Sequence, residues 1–592
     1  MLILLYFSLV STLFLFFFGN IIGKSGCILY SASSLIFLLF ISLYYSSSII
    51  FYNHTYILSL ISLLSLNNFI IYITFILDII SIQMILLVVS ISTIVHIYSF
   101  SYMENDPHFI KFISLLSLFT FFMLLLISTN NLLQLYIGWE GVGLCSYLLI
   151  NFWYTRQQTS KSAIKSLLLN KIGDIGLLIG LIYLWQYFGT FSISEIILIL
   201  DIHEINILFL FLILIGITVK SAQIGLHMWL PDAMEGPTPI SALIHAATMV
   251  TAGVFLIVRL SPIFDTSSSI LILFVFIGSL TSLISASIGL VQNDIKKIIA
   301  YSTCSQLGYM VMVCGFSWYN TGLFHLINHG IFKALLFLSA GSIIHHYNNQ
   351  QDLRKYGNII FNLPILFWYF IYASISLVGL PLTSGYYSKD LIIEVVYTTN
   401  LLTFSYWISL FSLLLTTFYS LKIILSTFFN KINSPVVYIN MENNIEIITL
   451  LPLCIGSICF GYLSIIFFHQ DHQPILIPLF NKFLPLLFIF LTLLFIFYIK
   501  SILIKNKKYI YIFFIKLWYI DYIINNLLIL SFMKYSLHIH KIIDLQILER
   551  FGPKYIIQNI YTTIGEYSNY KRGFIPNYLF FMVLLLIFII LV

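Results

Sequence analysis

Charge is what this sequence lacks. Only 8% of its 592 residues are Asp, Glu, Lys or Arg, while 60% are hydrophobic; an ordinary soluble domain carries about 25% charged residues. A fold this poor in charge cannot cover itself with a water-facing surface, so lipid must be part of its solvent. A membrane helix needs roughly 20 mostly apolar residues, and such runs follow one another almost end to end. The six cysteines (Cys27, Cys145, Cys304, Cys314, Cys454 and Cys459) show no C-x-x-C spacing, which argues against a disulfide framework, a zinc site and an iron–sulfur site. There is no G-x-G-x-x-G and no Walker A. No nicotinamide, flavin, ATP or metal is expected on this chain, and if it does work against a gradient the energy must arrive from elsewhere. The net charge of +6 is scattered through short loops, without the basic stripe that nucleic acid would call for.

What is there reads as a large all-α polytopic bundle. Hydropathy gives about 16 spans, centred near residues 12, 38, 86, 118, 141, 176, 218, 249, 281, 306, 333, 373, 414, 457, 490 and 583. The N-terminal run lacks a basic n-region and a small-residue cleavage site, so it reads as a first span. Residues 51–71 are apolar and uncharged, and read as a long outer loop or a re-entrant piece. Loops after odd-numbered spans hold Lys24, Lys111, Arg156, Lys161, Lys165, Lys296, Lys297, Arg354, Lys355, Lys422, Lys431, Lys505, Lys507 and Lys508. Loops after even-numbered spans hold little beyond Arg259 and Lys482, and one carries Glu195, Asp201 and Glu204. Positive loops stay inside, which places both termini outside. Residues 505–572 interleave charge with Ile, Leu, Tyr and Phe. They read as an amphipathic helix along the inner membrane face, bent at Gly552-Pro553, before a last span. The expected divisions are 1–108, 109–260, 261–430, 431–504, 505–572 and 573–592.

Charges within spans are the informative signal, because a mid-helix Lys or Glu costs about 2.5–3.5 kcal/mol on insertion scales. Glu140 stands in Gly138-Trp139-Glu140-Gly141-Val142-Gly143, where glycines let a neighbouring helix approach closely; an inert ion pair is the plainer alternative. Lys220, Gln223 and His227 fall at i, i+3 and i+7 of the seventh span, one polar stripe if the helix is continuous. Pro231, Pro237 and Pro239 then predict a break, unless that stretch is simply a connecting loop. His245 opens the eighth span, where hydrogen-bonded packing would also explain it. His325, His329 and Lys333 recur at i, i+4 and i+8 on the eleventh. Two histidines at that spacing are also a metal pattern, but the accompanying glutamate is missing and lysine is a poor ligand. Imidazole titrates near neutral pH, and burial disfavours a charged lysine, so alternating His and Lys suits proton transfer. The twelfth span breaks at Gly379-Leu380-Pro381, with Lys389-Asp390 after it. Broken helices 7 and 12, five spans apart, point to two inverted repeats. Asp174, three residues after Lys171, could pair with it or gate the inner entrance.

The run Leu135-Tyr136-Ile137-Gly138-Trp139-Glu140-Gly141-Val142-Gly143-Leu144-Cys145-Ser146-Tyr147-Leu148-Leu149-Ile150, together with Asn170-Lys171-Ile172-Gly173-Asp174, the Lys220 to Arg259 stretch, His325 to His345 and Tyr387-Ser388-Lys389-Asp390, closely resembles the antiporter-like subunit 5 family of mitochondrial NADH:ubiquinone oxidoreductase. The resemblance is strong over residues 75–470 and holds in layout beyond them. It implies two inverted five-helix repeats, a lateral helix running along adjacent antiporter-like subunits, and a proton path through Glu140, Lys220, His245, His325, His329, Lys333 and Lys389, with Glu140 paired to Lys220. NADH, flavin, iron–sulfur clusters and quinone would sit on other subunits, with bound phospholipid as a further expectation. Lys171 stands where many members have Arg. The location implied is the mitochondrial inner membrane; the heavy use of Ile, Phe, Tyr, Asn and Leu fits an AT-rich organelle gene. Two rivals stand beside this reading: a subunit of a multi-subunit sodium/proton antiporter, and a non-pumping scaffold that clamps its neighbours.

Overall fold

The computed structural model describes residues 2–52, 54–66, 69–200, 206–399, 402–431, 442–468, 475–502, 508–570 and 573–591. The loop charges Asp201, Glu204, Lys505 and Lys507 lie outside these residues, as do Lys571 and Arg572. The chain divides into two units, residues 1–515 and 516–592.

The first unit begins with α1 (Leu2–Tyr52), two spans joined at Gly23, whose φ of 76° interrupts the helix in a conformation that glycine tolerates. Two antiparallel strands follow, β1 (Tyr56–Leu66) and β2 (Phe69–Leu77), with Tyr56 opposite Leu77. The hairpin is a small addition to an otherwise helical chain; of residues 51–71, expected as a long outer loop or a re-entrant piece, those described after Tyr52 include β1 and the start of β2. The β-branched and aromatic residues of Phe69-Ile-Ile-Tyr-Ile-Thr-Phe suit a pleated surface. The Asn131 side chain and the Asn130 backbone tie β2 down, donating to the carbonyls of Tyr72 and Thr74 at 3.0 Å each.

The bundle continues with α2 (Ile79–Tyr102), α3 (Phe109–Ser128), α4 (Leu132–Ile150), α5 (Gln157–Phe188), α6 (Ile193–Ile199) and α7 (Ile207–Lys220). Three pieces, α8 (Trp229–Asp232), α9 (Thr238–Ala242) and α10 (Met249–Arg259), run on to α11 (Ser261–Asp265) and to α12 (Ser268–Val291), α13 (Ile295–Cys314) and α14 (Tyr319–His346). Then come α15 (Pro364–Val378), α16 (Ser384–Thr398), α17 (Thr403–Ile424), α18 (Asn444–Phe468), α19 (Leu479–Ile502) and α20 (Lys508–Ile515). A helix covers every one of the sixteen expected span centres. Among the described residues, ten helices, with Leu2–Tyr52 counted once, are long and apolar enough to cross a membrane. Two spans are nearly enclosed: Thr238–Arg259 is 100% buried over its apolar window and Tyr319–His346 is 94% buried, the latter with α2, α13, α15, α16 and α18 packed around it.

Contacts between connecting segments sort into two sets. Lys24 donates to the Glu104 and Asp106 carbonyls at 3.2 and 3.3 Å, and Trp153 donates to Asp106 at 3.1 Å. Lys165 meets Asp232 at 2.6 Å, Lys296 donates to the Gly236 carbonyl at 3.1 Å, and Asp294 bridges to Asp352. All these join segments after odd-numbered spans. On the other side, Arg259 pairs with Asp78, Asn131 bridges to Ser192, and the Tyr319 hydroxyl donates to Asp265 at 2.7 Å, all after even-numbered spans. The two families of loops therefore occupy opposite ends of the bundle.

The second unit is helical from α21 (Ile520–Tyr522) through α22 (Leu530–Ile539) to α23 (Glu549–Phe551), linked by wide π-turns at Ile523–Ile529 and His540–Leu548. At Gly552 the backbone leaves the helix (φ −94°, ψ −164°). A new helix, α24 (Pro553–Tyr570), starts on Pro553, where the missing N–H costs nothing. The apolar helix α25 (Ile575–Leu591) ends the described chain.

Candidate functional site: a buried row of ion pairs and histidines

The first cluster is built on α4, α5 and α7. Close approach of α5 and α7 is set by Gly173, where an added Cβ would stand 2.7 Å from Val219, and by Gly216, where it would stand 2.9 Å from Leu177. On α4, Glu140 accepts from the Tyr136 hydroxyl one turn back at 2.6 Å and pairs with Lys171 of α5. The next pair lies deeper. Asp174, one turn on from Lys171, is 3.9 Å from the Lys220 ammonium, and both side chains are at most 2% exposed. Trp139 links the two partners: its indole N–H donates to Asp174 Oδ1 at 2.8 Å, and its carbonyl accepts from Lys220 Nζ at 3.2 Å. Its ring also faces the ammonium, 5.3 Å from the centroid, a cation–π distance. Gly143 leaves the ammonium its space, since a Cβ there would be 3.1 Å from Nζ.

This geometry corrects two expectations and bears on a third that was open. Glu140 is paired with Lys171 and not with Lys220. Asp174, which could pair with Lys171 or gate the inner entrance, turns to Lys220. Gln223 and His227 do not extend a helical stripe from Lys220, because α7 ends at Lys220. The break comes earlier than the prolines. Ala222 and Gly225 take φ of 49° and 87°, and the Val219 carbonyl accepts both from the Ala222 N–H at 3.1 Å and from the Trp229 indole at 2.9 Å. Gln223 turns instead to Thr281 of α12, accepting at 2.8 Å. A small cavity there is lined by His227, Thr281, Ser285 and Cys304, so the break faces protein and polar side chains, as irregular backbone at membrane depth must.

His245 does not open a helix but sits inside a span, on a π-turn (Leu243–Ala247) between α9 and α10. Its ring lies 6.1 Å from Trp229 and 6.1 Å from Phe337, between the broken seventh helix and α14. Neither of its ring nitrogens has a hydrogen-bond partner among the described residues.

The second cluster centres on α14. His325, His329 and Lys333 are fully buried. His325 Nδ1 is 2.9 Å from the Ser388 hydroxyl and Nε2 is 3.1 Å from Gln306 Oε1. His329 lies next along the helix, ring centroids 6.3 Å apart. Lys333 donates to the Ser302 hydroxyl of α13. The twelfth span is broken as expected, with Gly379 at φ 91° closing α15. Lys389 on α16 reaches back to that break, donating to the Leu377 and Val378 carbonyls at 3.3 and 3.4 Å and to Thr416 at 3.2 Å. A cation on the free carbonyls of a helix C-terminus is favoured by the helix dipole. Among the described residues no group of His, Cys, Asp and Glu is placed to hold a metal.

The structure thus gathers Glu140, Asp174 and Lys220 with Lys171 in one cluster, and His325, His329, Lys333 and Lys389 in another, with His245 between. Sequence reasoning missed Trp139, Ser302, Gln306, Ser388 and Thr416 as partners. Trp139 was visible as the neighbour of an intramembrane Glu; nothing in the local pattern marks the serines and threonines.

Comparison with known proteins agrees with this architecture. Residues 129–418 match the family model of the NADH:quinone oxidoreductase/Mrp antiporter transmembrane region. Residues 419–592 match the NADH dehydrogenase subunit 5 C-terminus, and residues 63–113 the complex I chain 5 N-terminus. NADH-ubiquinone oxidoreductase chain 5 of Metridium senile is 46% identical over 503 residues, covering 82% of this chain and 84% of its own. That of Rhizopus stolonifer is 40% identical over 603 residues, covering 95% and 91%. Among solved structures, the Mrp complex from Dietzia sp. DQ12-45-1b superposes with a TM-score of 0.76 at 20% identity, over 99% of this chain and 62% of that one. An archaeal membrane-bound sulfane sulfur reductase superposes with a TM-score of 0.68 at 21% identity, over 79% and 95%. The structural likenesses show a shared antiporter-like fold; the sequence relatives, at this identity and coverage, place the chain in the NADH-ubiquinone oxidoreductase chain 5 family.

Proposed function

We propose that this chain carries protons across the membrane as a membrane-arm subunit of an NADH:ubiquinone oxidoreductase, in the mitochondrial inner membrane. The redox groups, NADH, flavin, iron–sulfur clusters and quinone, belong to other subunits, and the chain itself performs no electron transfer. Adjacent antiporter-like subunits and membrane lipid are its partners, with the segment from Lys516 onward as the element that meets them. The observation that carries the reading is the Asp174–Lys220 pair, buried at the end of a broken helix.

The chemistry follows from electrostatics. With Asp174 close, the ammonium of Lys220 is stabilised. When the pair opens, that support is withdrawn and Lys220 gives up its proton towards His245 and then Lys333. At 3.9 Å the attraction is about 4 kcal/mol at an effective dielectric constant near 20, and doubling the distance halves it. Moving one charge against a membrane potential costs about 2.3 kcal/mol per 100 mV, so a movement of a few ångströms in the pair is on the right scale. Glu140 and Lys171 shape the field around Asp174 without touching Lys220. His325, Ser388 and Lys389 continue the row. Lys220→Met should leave NADH oxidation coupled to fewer protons in reconstituted complex of normal composition; full proton stoichiometry would overturn the reading.

A further inference from the structure

Away from that row, a carboxylate and an imidazole are buried together. His346, the last residue of α14, is 5% exposed, and Glu446, in the first turn of α18, is 1% exposed. His346 Nε2 and Glu446 Oε2 are 3.8 Å apart, within ion-pair reach but beyond a hydrogen bond. Neither His346 nitrogen nor Glu446 Oε2 has a hydrogen-bond partner among the described residues. Burying polar atoms without hydrogen bonds is costly.

A column of hydroxyls leads inward from the pair. Ser342, one turn back on α14, reaches the Glu446 carboxyl and shares a 3.0 Å hydrogen bond with the Tyr98 hydroxyl of α2. Gly341 leaves room beside both the Tyr98 and Thr238 hydroxyls, to which an added Cβ would stand at 2.9 and 2.7 Å; the Thr238 hydroxyl has no hydrogen-bond partner among the described residues. Thr238 begins α9, and His245 follows two turns along the same span. The other charged or titratable groups around the pair are His345 on α14, Tyr102 on α2, Tyr369 on α15, Glu442 before α18, and Arg156 beside Tyr102. The loop after α14 carries Arg354 and Lys355, the sign of the inner face.

We infer that His346 and Glu446 form a proton-loading site at the inner end of α14, passing protons inward to Ser342 and Tyr98. The inference rests on the proton-translocation reading above. A proton from water protonates the carboxylate or the imidazole. Each hydroxyl in the column then accepts one proton and releases its own, so the column is unchanged after each transfer.

The test uses complex of normal composition in vesicles, with NADH oxidation and proton uptake measured together from about pH 6 to about pH 8.5 on the inner side, a range that brackets imidazole titration. Glu446→Gln and His346→Gln should each lower protons per NADH by about tenfold or more at the alkaline end, where free protons are scarce, and little at the acidic end. The double variant should be no worse than either single one, because the two act as a unit, and Glu446→Asp should restore the profile. Unchanged coupling at every pH would overturn the inference, as would a loss that is independent of pH and not rescued by Asp. If Glu446→Gln does not assemble, His346→Gln decides on the same criteria. Lys220→Met separates the two claims. If it stops pumping while Glu446→Gln and His346→Gln pump normally throughout, only the loading site fails; if Lys220→Met pumps fully, the parent reading has failed.

Discussion

Replacing Asp174 by Asn asks which carboxylate governs Lys220. The substitution keeps the shape and one oxygen for the Trp139 indole but removes the charge 3.9 Å from the ammonium. At an effective dielectric constant near 20 that charge is worth about 4 kcal/mol to the protonated lysine, and at about 1.4 kcal/mol per tenfold even half of it is more than an order of magnitude in proton occupancy. Glu140→Gln removes a charge that is paired with Lys171 on the outer side of the cluster and does not touch Lys220. Reconstituted complex should therefore lose proton translocation by Asp174→Asn much more severely than by Glu140→Gln. The assay is protons taken up per NADH oxidised, with subunit content checked on the same preparation. A Glu140→Gln loss equal to or greater than that of Asp174→Asn would refute the pairing.

Three further outcomes are expected. Gly143→Val places methyl groups where the Lys220 ammonium sits, the Cβ alone being 3.1 Å from Nζ; pumping should fall while the chain still assembles, as read by proton uptake and native gel. Gly385→Ala puts a Cβ 1.7 Å from the Ser376 carbonyl oxygen, a clash of backbone with backbone that cannot relax cheaply; the amount of assembled chain should drop sharply on immunoblots of purified membranes. Lys389→Met leaves the Leu377 and Val378 carbonyls without their donor, at about 1–3 kcal/mol for each group left unsatisfied; it should lower both thermal stability and coupling, measured by melting of the complex and by proton uptake.

Much of the architecture was legible because bilayer thickness forces a long apolar run wherever a helix crosses, and loop charge then reports the alternation. The helices over all sixteen centres and the sorting of Lys24, Lys165 and Lys296 to one end follow from that constraint. The hairpin of β1 and β2 was not, since a short apolar run rich in Ile, Tyr and Phe carries no periodicity that separates strand from helix. The break at Ala222 was hidden because alanine is a strong helix former and the prolines further on drew the prediction past it. Partner choice in the first cluster failed for a different reason. Lys171 and Asp174 lie one turn apart on one helix, and sequence spacing cannot say that each turns to a different neighbour. His346 and Glu446 are 100 positions apart, and only the packing of α18 on α14 brings them together.

Trp139 and Glu140 are consecutive, so their side chains leave α4 about 100° apart. One of them serves the Asp174–Lys220 pair and the other holds Lys171. Any roll of this helix about its long axis must shift both attachments together. α4 is therefore a common axle for two charge pairs, and a disturbance arriving at the half-exposed Lys171 reaches the sealed interior as a mechanical displacement, with no proton needing to pass between them.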